Sequence, residues 1–583
     1  MNLEVPKAWN WRWAGLLTAL VFVAYFPILQ TAGWIWDDGD YIVNNPLLHS
    51  LEGLRRIWAD PSATPQYYPI VHSTFWVEFQ LWGLKPVGFH SVNILLMVGV
   101  ALLFWRLLLR LHLPGAWWIA ALFAVHPNHV ESVAWVTERK NMLSMFFLLA
   151  ATLRYWSFTE TGQWRVYMES LVLFVAGLLS KTVIAFMPPA LFLLLWWKKP
   201  QDLKKHLFPL AALFLAGGWM GWRTAMLEVS QVGAEGAAWA WSVAERFLLA
   251  GKILWSYAVH IMAPNPVFLY PKWVPDTSDW MQWMYLVSAV LLPVMLLRFS
   301  KRVGRGPLVG MLIFGGALFP ALGFLNVYPM KFSFLADHFQ FHANLAFFAV
   351  VGVLLVKLPF SPRPRIALAS LALVGCIGMD WSLAPAYESE QALWEDTVEK
   401  NPTAWMAWHN LGGLYAEQKR EKESYACYEK AVAIERDPKL LNSMSAWWLR
   451  KASRSQWQPR MLRAAADLGA ESAEQWPNYY PTQLLLGRIH SFGPEGKWAS
   501  ATGFYLRYLK LLSESRMNDG QVAEILMTAG QEAVSAVYRY EGVPGMQKFP
   551  RRIRFILLKV GSIPHLRPRM KPEFLTALEK LNG

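Results

Sequence analysis

A chain of 583 residues that is 55% hydrophobic and only 16% charged, with 33 tryptophans and a mean hydropathy of +0.23, excludes an ordinary soluble enzyme and points to a polytopic membrane protein. A net charge of +14 in such a chain collects in cytoplasmic loops facing anionic lipid, and no nucleic-acid motif accompanies it. Cys376 lies in an apolar run and Cys427 in a polar helix, an arrangement that suggests neither a disulfide framework nor a metal clip.

The first apolar run, residues 14 to 31, is followed by no small-x-small cleavage pattern and is expected to remain as a span. The loop behind it, residues 32 to 88, opens on Trp34-Ile35-Trp36-Asp37-Asp38-Gly39-Asp40-Tyr41 and continues to Asn44 and Asn45. Carboxylates crowded at a bilayer surface beneath aromatic rings make either a general base or cation site, or a solvated turn closed by Asx hydrogen bonds. On these residues alone the two readings stand level. Apolar runs able to cross about 30 Å of hydrocarbon follow near residues 89 to 109, 116 to 134, 141 to 157, 167 to 181, 182 to 197, 206 to 222, 281 to 298, 307 to 327, 339 to 356 and 366 to 383. Basic residues fall in alternate connections: Arg106 with Arg110, Arg154 with Arg165, Lys198 to Lys205, Arg298 to Arg305, and Lys357 to Arg365. Those connections are read as cytoplasmic. The run from Arg246 to Met262 would reverse every later connection if it crossed, so it is read as a re-entrant or interfacial helix on the outer side. The count is then about eleven spans, with the N-terminus inside and the first loop and everything after Leu383 outside.

From residue 384 charge becomes frequent and amphipathic helical periodicity takes over, which sets a soluble domain, 384 to 583, behind a membrane domain, 1 to 383. Trp408, Leu411, Gly412, Tyr415, Tyr428 and Ala431 hold the spacing of a tetratricopeptide helix pair, with Ser424 at its small position and Pro438 about two residues late. Trp394 and Pro402 resemble the second helix of an incomplete repeat, and Leu486, Gly487 and Ala499 a later copy. The remainder is expected to be stacked helical hairpins, because such units need neighbours to bury their faces.

On this topology five groups share the outer face. Besides the acidic cluster they are His126-Pro127-Asn128-His129-Val130-Glu131, then Glu138-Arg139-Lys140-Asn141, then Lys181, and Asp337-His338 with His342. The spacing of His126, His129 and Glu131 admits a metal ion, although a helix end packed with interfacial imidazoles is the commoner outcome. Arg139 and Lys140, taken singly, read as interfacial cations. Lys181 lies in a tight hairpin between two apolar runs, where a lysine must snorkel outward or pair with an anion. Together these groups set acids and cations from separate loops at one membrane face, where a phosphate-bearing lipid and a water-borne acceptor can meet.

The Asp37-Asp38 loop, Tyr68-Pro69-Ile70-Val71, the stretch Leu81 to Asn93, Ala124 to Trp135, Glu138 to Asn141, Ser180-Lys181 and Leu335 to Gln340 resemble the transmembrane O-mannosyltransferase-like proteins that carry tetratricopeptide repeats, part of the GT-C superfamily of polyprenyl-phosphate-sugar glycosyltransferases. The resemblance runs from about Trp36 to Val356 and the appended repeats strengthen it. It implies an all-α fold, a GT-C-type helical membrane bundle followed by a soluble repeat domain. It also implies an inverting hexosyltransferase moving a sugar, with mannose the leading candidate, from polyprenyl phosphate to Ser/Thr hydroxyls of exported proteins. Asp38 is then expected as general base with Asp37 orienting it, Arg139, Lys140, Lys181 and His338 as phosphate ligands, and His126, His129, Glu131 and Asp337 as supporting groups. Some relatives in the superfamily use a divalent cation and others do not, and both remain open. The expected partners are the lipid-linked donor, membrane lipid and a protein acceptor recruited by the repeats. The expected setting is a bacterial inner membrane, preferred over an endoplasmic reticulum, with a cytoplasmic N-terminus and a periplasmic repeat domain. Two other readings stand beside this one: transfer to lipid or polysaccharide, and a non-catalytic membrane-anchored scaffold.

Overall fold

The computed structural model describes residues 8–31, 33–227, 239–491, 498–515, 517, 519–561 and 564–582. Among these the regular structure is helical throughout, so the chain is all-α. It forms two compact units, Met1–Ala404 and Trp405–Gly583. The first therefore extends past residue 383, because the helix Glu390–Lys400 and Asn401 pack on it: Asn401 Nδ2 donates to the Leu269 carbonyl at 2.8 Å and Lys400 Nζ to the Pro266 carbonyl at 3.2 Å.

Five helices of the first unit are long and apolar enough to cross a membrane: α1 (Trp11–Thr31), α3 (Pro86–Arg110), α8 (Trp280–Arg298), α10 (Asp337–Lys357) and α11 (Pro362–Leu383). Between them lie α2 (Pro69–Trp82), α4 (Ala116–Ala124), α5 (Arg139–Thr161), α6 (Trp164–Leu178), α7 (Val243–Met262) and α9 (Gly306–Leu318), whose apolar stretches are shorter or carry more charge. Sequence sets their starts: proline, which lacks the amide a first helical residue cannot use, opens α2, α3 and α11, and a Ser242–Glu245 capping box opens α7. Lipid supplies no hydrophobic drive for helix association, so close approach at small residues matters. At Gly310 a Cβ would lie 2.2 Å from Val350, and this is where α9 meets α10.

The loop after α1 is a folded layer. Tyr41, Ile42, Leu48, Tyr68, Val71 and Phe75 close a core with Phe89 of α3 and with Val136 and Leu143 around the start of α5. Each such side chain withdrawn from water contributes about 1.5–3 kcal/mol, enough to hold a loop outside the bilayer in one arrangement. That layer fixes the acidic cluster against the ends of α3, α5 and α10.

The second unit is built of helical hairpins. Its first pairs α13 (Trp405–Glu417) with α14 (Glu421–Ile434), where α12 denotes Glu390–Lys400 of the first unit. A Cβ at Gly412 would sit 2.9 Å from the Tyr428 ring, and Ser424 Oγ donates to the Gly412 carbonyl at 2.8 Å. The expected repeat positions thus meet at the crossing of one hairpin, and Pro438 opens the next helix behind an Asp437 cap. Gly487 repeats the contact against Tyr505, with a Cβ 2.6 Å from that ring.

Candidate active site

Asp37 and Asp38 are neighbours in sequence with opposite surroundings. Asp38 is fully buried and both its oxygens are taken: Oδ2 accepts from the Ile35 amide at 3.1 Å, and Oδ1 from the Thr137 amide at 2.8 Å and the Thr137 hydroxyl at 2.6 Å. It therefore clasps the loop after α1 to the turn that starts α5. Burial raises its carboxyl to about 7, against the pull of the Thr137 and Ile35 hydrogen bonds. Asp37 is half-buried, and Asp40 is exposed. Burial also raises the Asp37 carboxyl above its ordinary value; Lys140 opposes the rise, Glu138 and Asp40 add to it, and His338 opposes it as well.

Beside Asp37 lies a shared ion pair. Glu138 Oε1 is 3.0 Å from Lys140 Nζ and its Oε2 is 3.1 Å from Lys181 Nζ. Burial alone would raise this carboxyl, but the two ammonium groups hold it well below the usual carboxylate range. Asn141 locks the group together: its Oδ1 accepts from Lys181 Nζ at 2.8 Å, while its Nδ2 donates to the His338 carbonyl at 2.9 Å and to Ser132 Oγ at 3.1 Å. Lys140 Nζ also lies over the Tyr41 and Trp135 rings, at 5.5 and 5.6 Å from their centroids. His338 Nδ1 is 2.7 Å from Glu131 Oε1, and its ring stands edge-on to Trp135 at 5.7 Å.

The other expected residues are placed elsewhere. Arg139 is fully buried in an ion pair with Glu78; its Nε donates to Asn93 Oδ1 at 2.8 Å, an NH2 group donates to the Phe89 carbonyl at 2.7 Å, and its guanidinium lies 4.9 Å from the Phe75 centroid. It holds α2, α3 and α5 together within the wall. His126 turns to the Ile261 carbonyl at 3.0 Å, and His129 to the Phe123 carbonyl at 2.7 Å and Asn344 at 2.8 Å. With Glu131 on His338, these three face different partners. Among the described residues no three His, Cys, Asp or Glu side chains gather as a metal ion would need. Asp337 Oδ1 accepts from Asn128, Tyr270 and Gln340 at 3.1, 2.9 and 2.8 Å, which anchors the start of α10.

Glu138, Asn141 and Thr137 complete the site without having been singled out for a role. The signal for Glu138 lay in the sequence: a carboxylate directly before two cations at the start of an apolar run will pair with one of them. Thr137 and Asn141 carry no such signal, because their partners lie in distant segments.

The chain is thus a helical membrane protein whose bundle carries, at one end, a half-buried carboxylate beside two lysines that share a buried glutamate. No family model matches it. It is similar to proteins named protein O-mannosyl-transferases. It is 32% identical over 151 residues to one from Caenorhabditis elegans, covering 23% of this chain and 22% of the relative. It is 34% identical over 168 residues to protein O-mannosyl-transferase TMTC4 of Homo sapiens, covering 24% and 23%, and 32% identical over 179 residues to protein O-mannosyl-transferase Tmtc1 of Drosophila melanogaster, covering 28% and 20%. The matches span less than a quarter of the length of these relatives.

Proposed function

We propose that the protein is an inverting membrane hexosyltransferase that moves mannose from a polyprenyl phosphate to serine or threonine hydroxyls of exported proteins. The observation that carries this reading is the half-buried Asp37 near Lys140 and Glu138, with Lys181 on the same glutamate; the names of the relatives supply the sugar and the acceptor class. Asp37 is the general base in this reading, and Asp38 the clasp that fixes its turn. An acceptor hydroxyl gives its proton to the Asp37 carboxylate as its oxygen bonds the anomeric carbon from one face. The bond from that carbon to the phosphate oxygen breaks on the other face, its electron pair stays on the phosphate, and the anomeric centre inverts. Lys140 and Lys181 turn ammonium hydrogens toward the leaving phosphate, with His338 beside them, and stabilise the charge that grows there. Glu138 keeps the two ammonium groups together and desolvated before the donor arrives. Whether a divalent cation joins the lysines is read from the dependence of the rate on added ion.

In this reading the site faces the outer side of the membrane with a cytoplasmic N-terminus, which the distribution of basic connections supports, and the repeat unit is periplasmic if the membrane is a bacterial inner membrane. Purified protein in liposomes, given polyprenyl-phosphate mannose and a Ser/Thr-containing protein, should yield tryptic peptides heavier by one hexose. Hexose found only in lipid or polysaccharide moves the acceptor to those classes. Absence of any transfer, with donor binding unaffected by Lys181→Met, supports the scaffold reading instead.

A further inference from the structure

Trp36, the residue directly before Asp37, has a backbone φ of +47°. A bulky L-residue in that left-handed region is strained, and it persists only where its surroundings fix it. The surroundings here are two rings. Trp394 of α12 meets the Trp36 ring edge-on at 4.8 Å and 78°, and Phe268 meets it at 6.5 Å and 67°. The two anchors brace each other at 5.4 Å and 81°. Trp394 is fully buried and its Nε1 donates to Glu390 Oε1 at 3.1 Å, so its ring has one setting. Phe268 in turn meets Trp135, the ring beside Lys140 and His338, at 5.4 Å. The same turn is tied down by backbone bonds that start at Trp36 and Asp37: the Gly39 amide donates to the Trp36 carbonyl at 3.3 Å, and the Asp40 and Tyr41 amides to the Asp37 carbonyl at 3.1 and 3.0 Å. A rotation of the Trp36 backbone out of the left-handed region would swing the Cα–Cβ bond of the following residue.

We propose that Trp394 and Phe268 are positioning residues for Asp37: by clamping the Trp36 ring they hold its backbone left-handed and so set the direction in which the neighbouring carboxylate leaves the chain. Neither ring touches the reacting atoms. The inference rests on the reading of Asp37 as base, and it places the helix after the last span within the control of that base.

The test uses full-length protein in liposomes with polyprenyl-phosphate mannose as donor and a Ser/Thr peptide as acceptor. Trp394→Leu removes the edge contact, and Trp36→Gly removes the ring and leaves a backbone that enters and leaves the left-handed region with equal ease, so either variant releases the clamp if the other fails to fold. Amide exchange at residues 37 to 41 should rise by about 10-fold in each, with exchange elsewhere unchanged. The kcat should fall by about 100-fold with donor KM unchanged, because a base displaced by an ångström still leaves the phosphate site intact. Trp394→Phe keeps an aromatic edge and should restore both readouts. Wild-type exchange and wild-type kcat in the released variants overturn the proposal, as does a lower yield of folded protein with kcat per folded molecule unchanged. Asp37→Asn, run in parallel, separates the two ideas. If it is inactive while Trp394→Leu turns over normally, the positioning inference alone fails; if it is fully active, the base assignment fails with whatever rests on it.

Discussion

Two adjacent aspartates differ in what they can do because one is fully buried with both carboxylate oxygens held by donors of the fold, while the other is half-buried near Lys140. Asp38 accepts three hydrogen bonds and is fully buried, so a substrate hydroxyl reaches it only by opening that clasp. Its carboxyl, raised to about 7 by burial, gives a signed expectation. The folded state holds the proton more tightly than the unfolded chain, so this group's contribution to stability is full below the ordinary carboxylate range and is lost as pH rises through about 7. The loss is at most about 1.4 kcal/mol per pH unit within that window. Thermal unfolding between pH 5 and pH 8, pH values chosen to bracket about 7, should therefore show a falling midpoint in the wild type and a flatter one in Asp38→Asn. For Asp37, whose carboxyl is also raised, transfer should increase with pH along a limb displaced upward from an ordinary carboxylate, and Asp37→Asn should lose that limb. The cations divide likewise. Lys181→Met should raise donor KM by about 10- to 100-fold, the worth of one hydrogen bond to a charged group. Arg139→Ala should instead cost folded protein, since Glu78 would be left buried and unpaired at about 3–5 kcal/mol. Well-folded Arg139→Ala with selectively lost donor binding would put Arg139 at the phosphate after all.

At the level of helices, stability in the second unit hangs on crossings. Ser424→Ala removes the hydrogen bond to the Gly412 carbonyl and should cost about 1 kcal/mol, while Gly412→Val drives a side chain into the Tyr428 ring and should cost more. Chemical denaturation followed by helical circular dichroism checks the order. These crossings were legible in the sequence because a repeat writes its contacts at short, fixed spacings: Gly412 and Ser424 belong to consecutive helices. The helical, membrane-embedded character of the first unit was legible for the same reason, since an apolar run is a local property. The site was legible only as a list of residue types. Asp38 meets Thr137 at a separation of 99 positions, and His338 meets Glu131 at 207; no periodicity encodes which way those side chains turn. That is why Arg139 and Lys140, adjacent and alike in charge, could not be told apart before their partners were known. The first turn of α5 points one into the wall and the other toward Asp37.

Taken whole, the molecule combines a cluster of carboxylates and lysines at one end of a membrane bundle with an array of helical hairpins. Deleting residues from 405 onward should leave transfer to a short peptide intact and reduce transfer to a folded protein acceptor, if the hairpins recruit that acceptor; equal loss on both substrates would assign them to assembly of the membrane unit. Single-turnover transfer from bound polyprenyl-phosphate mannose in Asp37→Asn and Asp38→Asn, each with its donor affinity measured on the same sample, distinguishes a base at Asp37 from one at Asp38. Asp37→Asn should bind donor as the wild type does but transfer at least about 100-fold more slowly, whereas folded Asp38→Asn should retain a measurable rate. Wild-type transfer by Asp37→Asn, or complete loss in a fully folded Asp38→Asn with Asp37→Asn still active, would contradict a base at Asp37.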